Sequence, residues 1–129
     1  MASEMKLNAS LVYEDAFGVQ LKSEVVDRVQ NVTTKRPVKL VQNIGITEEA
    51  IDLGDTGTPV YAFFKNLDPT NFINLKVATG GAIFAKLRPD TNSDGRGGFA
   101  MLELGSGATA PFAISDTATC NMEITLCPL

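Results

Sequence analysis

The most regular feature of the chain is the alternation of apolar and polar residues. In the first such segment, apolar side chains fall at every second position from Met5 to Tyr13. Successive side chains of a strand point to opposite faces of a sheet, so this period of two is typical of a strand with one buried side. The segments that show it are 5–13, 38–46, 73–77, 83–87 and 120–126.

Two segments depart from simple alternation. Residues 60–64 are apolar at both odd and even positions, which predicts a central strand or one covered by a neighbouring subunit. Residues 19–32 are rich in valine and predict one long strand or two short ones. Asp27 interrupts the inward face of that segment, which indicates a bulge or a bend.

Turn residues separate the strands and fix the fold class. Asp68-Pro69-Thr70-Asn71 has proline at the second position of a type I turn. The pairs Gly80-Gly81 and Gly97-Gly98 and the segment Gly105-Ser106-Gly107 are also expected to serve as turns. Residues 47–53 predict one short helical turn with Thr47 as its N-cap, or a strand over 50–53. We therefore expect an all-β, antiparallel sandwich or barrel with at most that helical turn.

The length of 129 residues is typical of one domain, so residues 1–129 are expected to form a single β domain. Residues 1–13 either belong to it or form an N-terminal arm or interface strand. Cys120 and Cys127 are seven residues apart on one predicted strand and therefore face opposite ways. We expect two free thiols, with Cys120 inward and Cys127 near the end of the strand.

The net charge and the length of the apolar runs limit which kinds of partner are expected. The net charge is −4, which argues against a nucleic-acid partner. One basic cluster, Lys35, Arg36 and Lys39, is either a solvated loop or a contact point for an acidic partner. The longest apolar runs are too short to span a membrane, and the first residues lack a signal-peptide pattern. The prediction is a protein made in the cytoplasm without a membrane partner.

The side chains that most enzymes use are scarce here. The chain contains no histidine, which removes the commonest general base, the serine and cysteine triads and most zinc sites. The glycine-rich pieces do not match a phosphate-binding loop. We predict that the protein is not an enzyme and uses no cofactor or small-molecule substrate.

One loop has part of a calcium-binding pattern. Asp90, Asn92 and Asp94 place oxygen ligands at alternate positions before a glycine, as in the first half of an EF-hand loop. The twelfth position, where a glutamate is needed, is a methionine. The favoured interpretation is therefore a polar hairpin loop between Leu87 and Phe99, with no metal.

The second half of the chain resembles a family of small structural proteins of tailed bacteriophages. Residues 49–59 read EAIDLGDTGTP, and AFFKNLD at 62–68 and TNF at 70–72 follow. In that family a similar segment leads into a hairpin of the form FF-K-NLD-x-TN-(F/Y). The resemblance covers about residues 45–129 and departs from the family at 90–97, where a short turn is expected. Further matching pieces are KLRP at 86–89, AMLEL at 100–104 and SDTA at 115–118.

The resemblance implies a virion component assembled in the host cytoplasm. Jelly-roll-like sandwiches are common in such roles, so the expected fold is an all-β, antiparallel, jelly-roll-like β-sandwich. The leading expectation is a capsid decoration or cement protein that stabilises the lattice and contacts the major capsid protein. Analogy with other decoration proteins implies a homotrimer. The alternatives are a tail or fibre component, or a glycan-binding module at a fibre tip.

Several residues are candidates for partner contacts. The alternating N-terminal segment contributes two leucines, and the basic cluster contributes three charges. Two aromatic residues either face outward or pack in the core or in a subunit interface. We predict that deleting residues 1–13 abolishes self-association or capsid binding. The candidates are Leu7, Leu11, Lys35, Arg36, Lys39, Tyr61 and Phe72.

Overall fold

The structure is a computed structural model that describes residues 3–32, 37–54, 60–104 and 111–128. Within these residues the regular secondary structure is entirely β, which confirms the predicted all-β class. Contacts between residues divide the chain into two compact units. One contains residues 3–32, which form a β-hairpin, and the other contains the described residues between 37 and 128, whose strands form a β-sandwich.

The described residues contain ten strands, all paired antiparallel. The hairpin consists of the two longest, and the sandwich of the other eight. The strands are β1 Ser3–Glu14, β2 Gln20–Val32, β3 Val38–Ile44, β4 Glu49–Ala50, β5 Tyr61–Asn66, β6 Ile73–Lys76, β7 Ile83–Leu87, β8 Phe99–Glu103, β9 Phe112–Ser115 and β10 Cys120–Cys127.

The sandwich has two four-stranded sheets, in the orders β3-β10-β5-β8 and β4-β9-β6-β7. Alternation along each strand sends one set of side chains between the sheets, because strand residues i and i+2 share a face. Both sheets contribute to the resulting core. Its fully buried apolar members include Ile44, Phe64, Ile73, Leu75, Leu87, Met122, Ile124 and Leu126.

Strand β5 occupies the centre of its sheet, between β10 and β8, as its doubly apolar sequence predicts. Ala62 and Phe64 are buried in the core. Phe63, on the opposite face of the strand, stacks on Phe99 of β8 with ring centroids 5.6 Å apart. Both faces of this strand therefore have apolar neighbours, which explains why its sequence does not alternate.

Two predicted hairpins are wrong, because the strands that they join belong to different sheets. The loop after Leu87 leads from β7 to β8 of the other sheet, and the FFKNLD segment likewise joins β5 to β6 across the sandwich. Backbone hydrogen bonds hold the chain at the first of these crossings between sheets, the one from β7 to β8. Gly98 donates its N–H to the Arg88 carbonyl, 2.9 Å away, and its own carbonyl accepts the Asn66 N–H, also at 2.9 Å.

The pair Gly97-Gly98 does not form a turn, contrary to the prediction. A Cβ added to Gly97 would overlap the carbonyl oxygen of Asn66, and one added to Gly98 would overlap the backbone nitrogen of Arg88. The chain needs glycine here because two backbones approach more closely than any side chain allows.

Two smaller expectations also need correction. Residues 47–53 contain no helical turn, because Glu49 and Ala50 pair with β9 instead. The side-chain oxygen of Gln42 then accepts the Asp52 N–H at 2.8 Å, which holds the residues after β4 in place. Ile83 does not share the buried face of Leu87. A register shift between β6 and β7 lies next to it, and its side chain is exposed.

Candidate interaction surface

The N-terminal hairpin is closed by a turn that its own sequence stabilises. Asp15 Oδ1 accepts the backbone N–H groups of Phe17 and Val19, each at 2.9 Å. The Gly18 N–H reaches the Asp15 carbonyl at 3.2 Å, and Gly18 has a φ of 81°, which favours glycine. The turn therefore holds Phe17 at the tip of the hairpin, where 92% of its surface is exposed.

A bulge interrupts the pairing of the two strands, as the position of Asp27 in the sequence predicts. Leu7 pairs with Arg28 and Ala9 with Val25, so two residues of β2 lie opposite Asn8 alone. Asp27 adopts a φ of 50° and donates its N–H to Asn8 Oδ1 at 2.9 Å. Without this extra residue, simple alternation would place Asp27 on the same face as Val25.

The register gives the hairpin two chemically different faces, because directly opposed residues on antiparallel strands project to the same side. The polar face includes Lys22 and Glu24, which form a 3.2 Å ion pair. The other face, which we call the apolar hairpin face, carries no charged residue between the bulge and the turn. Its members there are Ala9, Leu11, Tyr13, Leu21, Ser23 and Val25.

The apolar hairpin face is exposed. Leu11 has 76% of its surface accessible, Leu21 66% and Tyr13 60%. An exposed apolar patch of this kind marks an interaction site more often than scattered single residues do. A two-stranded ribbon is also only marginally stable alone in water, so a partner that covers this face would stabilise it.

The predicted contact residues are spread over both units. Leu11 lies on the apolar hairpin face and Leu7 beyond the bulge is half-buried. Lys35 and Arg36 lie outside the described residues. Lys39 is exposed on β3, where its Nζ lies 3.1 Å from Glu123 Oε1.

The two predicted aromatic contacts differ. Tyr61 is only 6% exposed, because it lies on the central strand β5 between Glu103 of β8 and Cys127 of β10, so it is not available to a partner. Phe72 is half-buried, and the Lys86 ammonium lies 3.7 Å from its ring centroid. Such a cation–π contact covers one side of the ring.

An ion-pair network lies on the outer face of the β3-β10-β5-β8 sheet. Glu123 of β10 contacts Lys39 on one neighbouring strand and Lys65 on the other, at 3.1 and 3.2 Å. Burial opposes ionisation of Glu123, but the hydrogen bonds from the two lysines outweigh it and lower the pKa of the carboxyl group. The charges therefore connect three strands across the sheet.

The loop with the partial calcium pattern uses its first carboxylate internally. Asp90 is buried, its Oδ1 accepts the Asp94 N–H at 3.2 Å, and its Oδ2 accepts the Gly95 N–H at 2.9 Å. Burial opposes ionisation of Asp90, but these backbone donors outweigh it and lower its pKa. Asn92 is exposed. Across the described ranges, no three acidic, cysteine or histidine side chains are placed to hold a metal ion.

Comparisons with known proteins add no relative: no family model, no curated protein and no solved structure matches the chain. A search of the described part of the chain for a helix long and apolar enough to cross a membrane also found none.

Sequence reasoning missed most of the apolar hairpin face, because only Leu11 of its six members was among the predicted contacts. Leu21 and Val25 on β2, and Phe17 at the tip, were not among the predicted contacts. The sequence does contain a signal for this pairing. Asp15 is followed three residues later by Gly18, which is a turn pattern, and it lies between two alternating segments. Pairing the two segments across that turn would have assigned these side chains to one surface.

Proposed function

We propose that the protein is a structural component of a tailed-bacteriophage virion, and specifically a capsid decoration or cement protein. The single observation that carries an assembly role is the exposed apolar hairpin face. A protein that only needed to fold would gain by burying or replacing Leu11, Tyr13 and Leu21. The resemblance of residues 45–129 to phage structural proteins directs that assembly role to a virion.

The sandwich supports the proposal by its construction. Two sheets with a continuous core make a rigid support, and its short edge strands leave few backbone groups available for indiscriminate pairing. Interleaving of early and late strands in both sheets supports the jelly-roll-like form, which we propose as the finer description of the fold. The proposed partners are the major capsid protein and other copies of the chain, with a trimer by analogy alone.

Repetition on a lattice would make weak contacts sufficient. When many copies bind neighbouring sites, each contact contributes to a much higher overall avidity, so no single interface needs high affinity. The role requires no catalytic group, cofactor or small-molecule substrate, and none is part of the proposal. The working location is the virion, after assembly in the host cytoplasm.

Cryo-electron microscopy and mass spectrometry of purified virions from the phage that encodes the chain test the proposal. The expected result is the chain at high copy number, with density for its sandwich on the outer capsid lattice. Density on the tail or at a fibre tip would instead favour the alternative of a tail component or glycan-binding module. Absence of the chain from virions would refute the proposal altogether.

Deleting residues 1–13 is a poorer test than the sequence implied. The deletion would remove nearly all of β1 and leave β2 without its hydrogen-bonding partner. An unpaired strand with exposed valines aggregates readily, so lost capsid binding would have two explanations. Substitutions on the exposed face of the intact hairpin avoid this problem.

A further inference from the structure

We propose that the apolar hairpin face packs against the hairpins of other copies of the same chain. The inference rests on the proposed assembly function, for which it identifies one partner and the surface that binds it. The capsid would then contact other parts of the protein.

The size of the surface fits a stable contact. A large apolar side chain buries roughly 100 to 200 Å². The exposed side chains of the face and the tip, chiefly Leu11, Tyr13, Phe17 and Leu21, are 60 to 92% accessible and so present roughly 300 to 600 Å². One partner's share of a standard protein–protein interface is roughly 800 Å². The hairpin alone thus supplies a large part of the area that a specific contact needs.

The charge distribution favours a copy of the same chain over another protein. A symmetric contact places the same surface on both partners, so any charge on it would be brought near its own copy. Between the bulge and the turn the apolar hairpin face has no charge, while Lys22, Glu24 and Glu14 all lie on the opposite face. Two such faces can meet without like-charge repulsion, and both polar faces remain in water.

The bulge marks one end of this uncharged region. It takes Asp27 out of regular pairing, held by Asn8, and brings Arg28 opposite Leu7. Arg28 is therefore the first charged residue on this side of the hairpin, and it lies beyond the bulge, away from the turn. The uncharged region runs from Ala9 to the turn.

Sedimentation velocity of the full-length chain over micromolar concentrations provides the first test. We expect the wild-type protein to form a discrete oligomer, and Leu11→Glu to weaken its association at least tenfold. Val12→Glu is the matched control, because Val12 is the next residue, is also exposed, and lies on the polar face. Association of Val12→Glu should match wild type. A monomeric wild-type protein, or equal effects of the two substitutions, would overturn the inference.

Cross-linking provides a second test that does not depend on weakening the protein. In a Cys127→Ser background, Ser23→Cys places a thiol on the apolar hairpin face and Lys22→Cys places one on the polar face. Mild oxidation should link Ser23→Cys chains into covalent dimers and leave Lys22→Cys chains unlinked. Failure of Ser23→Cys to link, or equal linking of both, contradicts the inference even if Leu11→Glu does not fold.

Capsid binding separates this inference from the proposed function. Binding of wild-type protein to capsids, measured by co-sedimentation, tests the function alone. A monomeric chain that binds capsids, and whose binding Leu11→Glu abolishes, would assign the apolar hairpin face to the capsid and overturn self-association. A chain that self-associates through the face but does not bind capsids would leave the inference intact and refute the proposed function.

Discussion

The side-chain amide of Asn66 lies 2.8 Å from the carbonyl oxygen of Asn71, to which its Nδ2 donates. The same Nδ2 reaches the carbonyls of Leu87 at 3.1 Å and Arg88 at 3.2 Å, while Oδ1 accepts the Asp68 N–H at 2.9 Å. Asn66 is fully buried. One side chain thus joins the end of β5, the connection to β6 and the end of β7, at the place where the chain crosses between sheets.

Replacing Asn66 with aspartate should destabilise the sandwich strongly. The carboxylate would bring negative oxygen toward three carbonyls that now share the two N–H groups of the amide, and it would do so in the core. We expect Asn66→Asp to lower the free energy of unfolding by about 3 kcal/mol or more, measured by urea denaturation.

The matched control for Asn66→Asp is Asn121→Asp. Asn121 is exposed, and its Oδ1 accepts a hydrogen bond from Asn43 that an aspartate can accept equally well. Its substitution should change the unfolding free energy by no more than about 0.5 kcal/mol. Equal effects of the two substitutions would show that the buried network does not contribute as described.

Alanine at Gly98 should be costly although it adds one methyl group. The added Cβ would overlap the backbone nitrogen of Arg88, and rigid backbone cannot move aside as a side chain can. We expect a loss of at least about 2 kcal/mol in unfolding free energy. Gly45→Ala is the control, because its nearest atoms lie 3.8 Å from the added Cβ. A stable Gly98→Ala variant would contradict this account of the crossing.

The residues show why some of the fold could be predicted from the sequence. Alternation predicted most of the strands, and the position of Asp27 predicted the bulge. Both features depend only on residues that are close together in the sequence. Sheet membership depends on long-range pairing. The polar loop after Leu87 has the composition of a hairpin, yet Gly98 pairs with Arg88 and Asn66 and directs the chain to the other sheet.

The candidate surface was predicted only in part for a similar reason. Leu11 was recognisable because it lies in a strictly alternating strand. Leu21 and Val25 could be placed beside it only once the register across the turn and the bulge was known, since one residue of slip moves a side chain to the other face. For Tyr61 the sequence left exposure and burial open, because the exposure of a central-strand residue depends on what covers the sheet.

Loss of the Glu123 charge should reduce stability in a pH-dependent way. The pKa of Glu123 is lowered in the folded protein, so its contribution is present above the unfolded value of about 4.3 and is lost as the pH falls through the folded value. We expect Glu123→Gln to be less stable than wild type at neutral pH, and the difference to shrink in acid. Urea denaturation of both proteins across that range measures it.

The exposed Asp116 provides the control for Glu123. Asp116→Asn removes one negative charge from the same unit at an exposed position, so its effect on stability should be small at every pH. A pH-independent difference between Glu123→Gln and wild type would mean that the carboxylate's charge does not stabilise the folded state.

The two cysteines should be protected from thiol reagents in the folded protein. Burial raises the pKa of both thiols, and the buried Cys120 Sγ also lies 2.9 Å from Ser115 Oγ. The thiolate is the reactive form, so we expect the Cys127→Ser variant, which keeps Cys120 alone, to react with a disulfide reagent only on the timescale of unfolding. The half-exposed Cys127, isolated by Cys120→Ser, should react earlier but slowly. Rapid modification of Cys120 in folded protein would contradict its position in the core. The rate of thiol modification in urea, where the protein is unfolded, provides the reference for an unprotected cysteine.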